Sequence, residues 1–219
     1  MVMPASLASM RRCCRLLHLW PLQQAVQRRP FATQPPKTIL LVYHSRTGAA
    51  REMADHLELG ALAVAEQMDM NGELRVNRKE ARDAGIDDML QASGYIFCAP
   101  ENLASLSGEM KEFVDRVYYG AFETTCAPDD PTTYSEESRL VGRPFAVAIS
   151  AGSDGAGAAR QLERICQGWR LRSVAETMVH QNGLPQTKEN ILAPKPPLPK
   201  ETRGQCADLG GRVAATLLL

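Results

Sequence analysis

Two short, uninterrupted apolar runs constrain the fold most: residues 38–43 (T-I-L-L-V-Y) and 95–99 (Y-I-F-C-A), both rich in β-formers. A strand with one wet face alternates apolar and polar side chains, so a run without polar gaps is a strand covered on both faces. The covering layers are also written in the chain. Beyond Gly48, the residues Met53, Ala54, Leu57, Ala61 and Val64 repeat at helical spacing, with Arg51, Glu52, Asp55 and Glu58 opposite. Met110, Phe113, Val114 and Val117 follow the i, i+3, i+4, i+7 pattern, and Leu162, Ile165, Cys166 and Trp169 form a further apolar face. Residues 145–149 add a buried strand, 74–77 a short edge strand and 174–179 a weaker one, with helices expected over 86–92 and 205–217. Regular alternation of buried strands and helices predicts an α/β fold, a parallel sheet with helices on both faces.

Two stretches interrupt the rhythm. Residues 120–143 carry Pro128, Asp129, Asp130 and Pro131, a composition that reads as one long loop, and loops of that length are often functional or interaction surfaces. The Pro-rich stretch 193–199 precedes the last helix.

Charge separates the front of the chain from the rest. Lys and Arg number 25 and so do Asp and Glu, yet no acid occurs before Glu52, while Arg11, Arg12, Arg15, Arg28 and Arg29 all precede residue 37. Removing those five leaves twenty basic against twenty-five acidic residues, an acidic domain without the broad basic field of a nucleic-acid binder. Residues 1–31 combine Arg, Leu, Ser and Gln, the composition of a transit peptide. Their apolar cluster is broken by His18 and Pro21 and is far shorter than the roughly 20 residues of a membrane span. The segment 28–33 (R-R-P-F-A-T) resembles a mitochondrial presequence cleavage site, so residues 1–31 are expected to be removed on import into the matrix. The expected mature domain, 32–219, is of a length that suits one domain of about 100–200 residues. Cys98, Cys126, Cys166 and Cys206 are widely spaced without C-x-x-C, which fits neither a zinc site nor a disulfide framework.

Ligands of such sheets bind beyond the carboxyl ends of the strands, where strand order reverses. Three loops qualify. The first, Ser45, Arg46, Thr47, Gly48, Ala49 and Ala50, joins the first strand to its helix and can offer hydroxyls and backbone N–H groups to a phosphate at a helix N-terminus. The second begins Pro100, Glu101, Asn102, Leu103, Ala104 and Ser105, and suits the edge of a planar heterocycle. The third, Gly152, Ser153, Asp154 and Gly155, has small residues that let a flat ring approach the backbone. No G-x-x-x-x-G-K-[ST] occurs, no G-x-G-x-x-G follows the first strand, and Ala104 stands where C-x5-R needs its arginine. A phosphate-bearing mononucleotide cofactor remains. Phosphate in the first loop and an isoalloxazine between the second and third describe FMN.

The first loop, S-R-T-G-A-A, resembles the flavodoxin phosphate pattern [ST]-x-T-G-x-T. Residues 107–116 (S-G-E-M-K-E-F-V-D-R) resemble a longer segment of the NAD(P)H-dependent FMN and quinone reductases related to WrbA-type proteins. The chain from 38 to about 218 is therefore similar to the flavodoxin-like superfamily and, within it, to that reductase branch. The resemblance implies a doubly wound five-stranded parallel sheet of order 2-1-3-4-5 in three α/β/α layers, FMN held by the three loops, NADH or NADPH as donor, and a quinone or similar small-molecule acceptor. It also implies a homodimer or homotetramer, and catalysis carried by the flavin without a catalytic side chain. Ala50 departs from the pattern and removes one hydroxyl donor, a loss of about 1 kcal/mol if nothing replaces it. The loops supply no stacking aromatic apart from Tyr43 at the strand end, which suits an open ring face. His44 and His180, at strand ends, read as structural. Two other readings stay open: a one-electron carrier of the flavodoxin type, and a scaffold that has kept the fold and lost the flavin.

Overall fold

Ile39, Leu40, Leu41 and Val42 are all fully buried, and so are all five residues from Tyr95 to Ala99, as two-sided strands require. The computed structural model describes the backbone of residues 35–127 and 130–219, and their side chains outside 126–134; the expectations for residues 1–31 lie outside the described residues. In chain order it contains β1 (Lys37–Tyr43), α1 (Ala49–Gln67), β2 (Leu74–Glu80), α2 (Ile86–Gln91), β3 (Gly94–Asn102), β4 (Ser105–Leu106) and α3 (Gly108–Val117). There follow β5 (Phe122–Ala127), β6 (Asp130–Ser138), β7 (Pro144–Ala151), α4 (Ala156–Gly168), β8 (Arg172–Ser173), β9 (Met178–Gln181), α5 (Lys188–Leu192) and α6 (Lys200–Leu218).

The main sheet runs β2-β1-β3-β7, with β8 and β9 pairing successive stretches of β7's far edge, all parallel. This is the doubly wound, flavodoxin-like order 2-1-3-4-5, the fifth position being shared by two short strands. Strand order reverses between β1 and β3, so the loops leaving those strands flank the expected binding crevice. Alternate side chains serve two cores. Leu40, Val42, Tyr95, Phe97, Phe145 and Val147 meet α3 and α4 on one face, while Ile39, Leu41, Ile96, Cys98, Ala146 and Ala148 meet α1 and α6 on the other. On the second face α1 and α6 approach to backbone contact: a Cβ on Gly60 would stand 2.0 Å from the Ala207 carbonyl oxygen, and one on Gly210 1.9 Å from that of Leu57.

Several boundaries differ from the sequence expectation. The stretch 120–143 is not one long loop, since β5 and β6 pair antiparallel with Phe122 opposite Ser138. Phe122, Thr124 and Thr125 in one strand and Thr132, Thr133 and Tyr134 in the other favour extended backbone, and this outweighs the nearby prolines. The hairpin base is anchored where the Ser138 hydroxyl donates to the Trp169 carbonyl at 2.6 Å. The strand expected over 74–77 continues to Glu80, because Arg78 and Lys79 gain partners on the edge: Arg78 with Asp55 (2.5 Å) and Glu58 (3.2 Å), Lys79 with Asp88 (2.7 Å). The strand expected over 174–179 is displaced to 178–181, and α6 begins at Lys200, ahead of the expected 205. Pro100 does not end its strand. Its missing N–H is tolerated there, and β3 runs on to Asn102 before turning back into β4. Among the described residues no helix is long and apolar enough to cross a membrane.

Candidate cofactor site

The first loop takes its shape from Gly48. This residue caps α1 at φ +101°, with open space around the position of a Cβ, so it is the backbone conformation that demands glycine. The Ser45 hydroxyl accepts from the Gly48 N–H at 3.2 Å. No side chain caps α1, so its first-turn N–H groups remain available, and the helix dipole adds positive potential there. Ala49 and Ala50 are buried in the core between β1 and α6. Their methyl groups therefore face inward, and what they offer a ligand is backbone N–H alone. The Ala50 carbonyl is taken by the Cys98 thiol at 3.3 Å. Burial pushes that thiol well above its ordinary range, as it does for Cys166, and both are inert apolar fillers.

The second loop is a tight two-residue hairpin. Glu101 pairs with Leu106 and Asn102 with Ser105, leaving Leu103 (φ +52°) and Ala104 (φ +59°) as the turn, both left-handed. Such turns normally use Asn-Gly or Gly-Gly, and a leucine held there stores strain of order 1–3 kcal/mol. The Leu103 side chain is fully exposed. Closure of the turn depends on the third loop's helix, since a Cβ on Gly157 would stand 2.0 Å from the Ala104 carbonyl oxygen.

Glu101 bridges the second and third loops. One of its oxygens, Oε2, accepts from the Ser153 hydroxyl at 2.5 Å, whereas Oε1 is shielded from solvent and has no partner among the described residues. A buried carboxylate oxygen without a donor is costly, so this atom marks where a ligand N–H belongs. Gly155, at φ +69°, starts α4, and Asp154 accepts from the Ala156 N–H at 2.9 Å. Loop three therefore makes its own cap and keeps its backbone close to the crevice.

A cavity of about 80 Å³ lies where the loops converge. Of the expected site residues, Arg46, Thr47, Pro100, Glu101, Asn102 and Gly152 line it. Ser45, Gly48, Ala49, Ala50, Leu103, Ala104, Ser153, Asp154 and Gly155 shape the loops without lining it. Ser105 turns away, its hydroxyl donating to the Gln161 side chain at 3.0 Å. A fourth wall, not expected from the sequence, comes from the segment after β9, where Asn182, Leu184, Pro185, Gln186, Asn190, Ile191 and Lys195 close the cavity. The Pro-rich run 193–199 was its only signal. Tyr43 is not part of the site: its hydroxyl donates to Glu80 at 3.3 Å and the Arg78 guanidinium stacks over its ring at 4.6 Å. Among the described residues no aromatic lines the cavity.

Both histidines are engaged structurally. His44 Nδ1 lies 2.8 Å from the Ser107 hydroxyl and Nε2 3.7 Å from Glu109, tying the first loop to the start of α3. Burial lowers its pKa, with Glu109 partly opposing. His180 meets Thr202 at 3.4 Å, and burial lowers it too, against the pull of Glu52.

The profile of the NADPH-dependent FMN reductase family matches residues 42–183, well over half of the chain, and the protein belongs to that family. Solved structures share its fold at low identity. A flavodoxin from the domain Archaea superposes with TM-score 0.59 at 14% identity, covering 83% of this chain and 99% of its own. An oxidoreductase from Corynebacterium diphtheriae gives TM-score 0.58 at 16%, covering 84% and 98%. The flavodoxin, WrbA-like protein from Agrobacterium tumefaciens gives 0.55 at 16%, covering 83% and 98%. Comparison with curated proteins returns no match.

Proposed function

We propose that the protein is an FMN-dependent oxidoreductase that passes reducing equivalents from NAD(P)H to a quinone or a similar small acceptor. The observation that carries this reading is the unpartnered Glu101 Oε1 at a cavity also lined by Arg46 and Thr47, just ahead of the uncapped start of α1. One end of the crevice supplies donors and positive potential for a phosphate, and the other supplies an acceptor for a ring N–H. Bound FMN would accept a hydride and release electrons, so no side chain need act as nucleophile or base.

The chain's own residues hold and shield the cofactor. Arg46, Thr47 and the first N–H groups of α1 take the phosphate, while Ala49 and Ala50 contribute only backbone. Glu101 orients the ring by accepting its N–H, held in place by Ser153. Residues 100–102 at the end of β3 and the Gly152 backbone form the two sides of the slot. With Tyr43 engaged by Arg78 and Glu80, no side chain at the cavity among the described residues is placed to stack on the ring, which favours an enzyme with an open face over a carrier with a covered one.

NADPH is the donor named for the family, and NADH remains the alternative within this proposal. We also propose import into the mitochondrial matrix with cleavage near Ala32, supported by the acid-free, Arg-bearing composition of residues 1–31, and a homodimer or homotetramer in solution. Reconstitution tests the cofactor reading. Apoprotein should turn yellow with FMN, and Thr47→Ala should weaken FMN binding while leaving riboflavin binding unchanged. Failure of the folded chain to take up FMN would remove the proposal.

A further inference from the structure

A cavity of about 80 Å³ is too small for a cofactor, since ligand pockets usually offer about 300 Å³ or more. The segment between β9 and α6 accounts for the shortfall. Leu184, Pro185, Gln186, Asn190, Ile191 and Lys195 all lie on the cavity's outer side. Without them the first, second and third loops would form an open crevice.

We propose that residues 184–195 are a hinged lid over the cofactor site, latched in the cofactor-free protein by Gln186 on Gly152 and by Lys195 on Thr47, and that its opening sets how fast FMN enters. The inference rests on the FMN reading given above. Attachment of the lid is polar and sparse. The Gln186 side-chain amide donates to the Gly152 carbonyl at 2.8 Å, and the Lys195 backbone N–H donates to the Thr47 carbonyl at 2.8 Å. None of residues 183–197 is buried, and Ile191 and Leu192 are about half exposed at 48% and 52%. A segment held by a few hydrogen bonds and no buried apolar contact opens at low cost compared with the core.

Internally the segment is better connected than it is to the domain. The Asn190 side chain donates to the Pro185 carbonyl at 2.9 Å, and the Thr187 hydroxyl caps α5 by accepting from the Asn190 N–H at 3.3 Å. The Lys195 ammonium donates to the Asn190 carbonyl and, at 3.3 Å, to that of Ala193. These bonds let the lid move as one body. Its pivots are defined at both ends. Gly183 stands at φ +66° with open space around it. At the other end, the stiff Pro196-Pro197 pair leads to Leu198, which is buried and whose N–H donates to both Glu52 oxygens at 3.0 and 3.1 Å.

The test is stopped-flow mixing of full-length apoprotein with FMN, followed by flavin fluorescence, for the wild type and Gln186→Ala. The substituted side chain is exposed, so folding is not at stake. Because the latched position leaves no room for FMN, loss of one latch bond should raise the association rate constant about three- to tenfold, leave dissociation nearly unchanged and lower Kd by the same factor. A residue that merely touched the cofactor would raise dissociation alone. Amide exchange offers a second readout: residues 187–195 should exchange together in the apoprotein and faster, again together, once FMN holds the lid off its latches. If the wild type binds no FMN, the cofactor reading fails. If it binds FMN but Gln186→Ala leaves the association rate constant unchanged, or if FMN leaves exchange of 187–195 unaltered or slows it, the lid is overturned while the cofactor reading stands.

Discussion

Gly157 lies so close beneath Ala104 that a Cβ on it would stand 2.0 Å from the Ala104 carbonyl oxygen. That contact joins the first turn of α4 to the strained Leu103-Ala104 turn and sets the second loop against the third. Gly157→Ala should force the two apart. Overpacking of this kind costs about 1–3 kcal/mol, and at roughly 2–4 °C per kcal/mol for a chain of this size the Tm should fall by several degrees. FMN affinity should fall with it, which a fluorescence titration of the same variant would show.

Glu101 separates a ligand role from a structural one. Replacing a shielded, unpartnered carboxylate oxygen relieves the apoprotein but deprives a ligand N–H of a charged acceptor. Glu101→Gln should therefore leave the apoprotein Tm unchanged or higher while FMN affinity drops about five- to tenfold, the difference between a charge-assisted and a neutral hydrogen bond. Scanning calorimetry and an equilibrium titration would read the two opposite signs. A fall in both would make Glu101 a packing residue.

Gly210→Ala provides the contrast. A Cβ there would stand 1.9 Å from the Leu57 carbonyl oxygen, in the α1–α6 contact, and neither residue lines the cavity. Stability should fall by at least about 1–3 kcal/mol. The FMN affinity of the fraction that remains folded should stay near that of the wild type, as calorimetry combined with titration below the Tm would reveal.

Acid should weaken the fold through its histidines. Burial holds His44 and His180 below the ordinary imidazole pKa, so on acidification the unfolded chain takes up protons before the native one. The stability they contribute is full above the unfolded pKa of about 6.5 and declines as pH falls through it, giving a Tm that drops between roughly pH 7.5 and 5.5. His44→Gln should flatten that slope. An unchanged slope would place the titration elsewhere.

Much of this architecture was legible because burial leaves a simple trace. The gapless runs 38–43 and 95–99 located two central strands, and the helical periodicity of α1, α3 and α4 located their cover. The hairpin of 122–138 was not, because Pro and Asp dominated a composition whose threonines and aromatics favour strands. Of the residues that line the cavity, Arg46, Thr47, Glu101 and Gly152 lie in loops that the strand ends mark in the sequence. The segment 107–116, the most specific motif, proved mainly structural: Met110, Phe113 and Val114 fill the core, and Arg116 donates to the Ala84 and Ala81 carbonyls at 2.7 and 3.1 Å. Only Ser107 and Glu109 reach toward the first loop, through His44. Residues 184–195 carry no periodicity, because their position is fixed by two hydrogen bonds to distant loops rather than by an apolar face.

Anaerobic titration of the FMN-loaded protein with NADPH, and in parallel with NADH, reads the chemistry proposed for the cavity. Stoichiometric loss of the visible flavin absorbance is expected with at least one donor, and recovery of that absorbance when a quinone is added. Flavin that binds yet keeps its colour through an excess of both donors would contradict that chemistry.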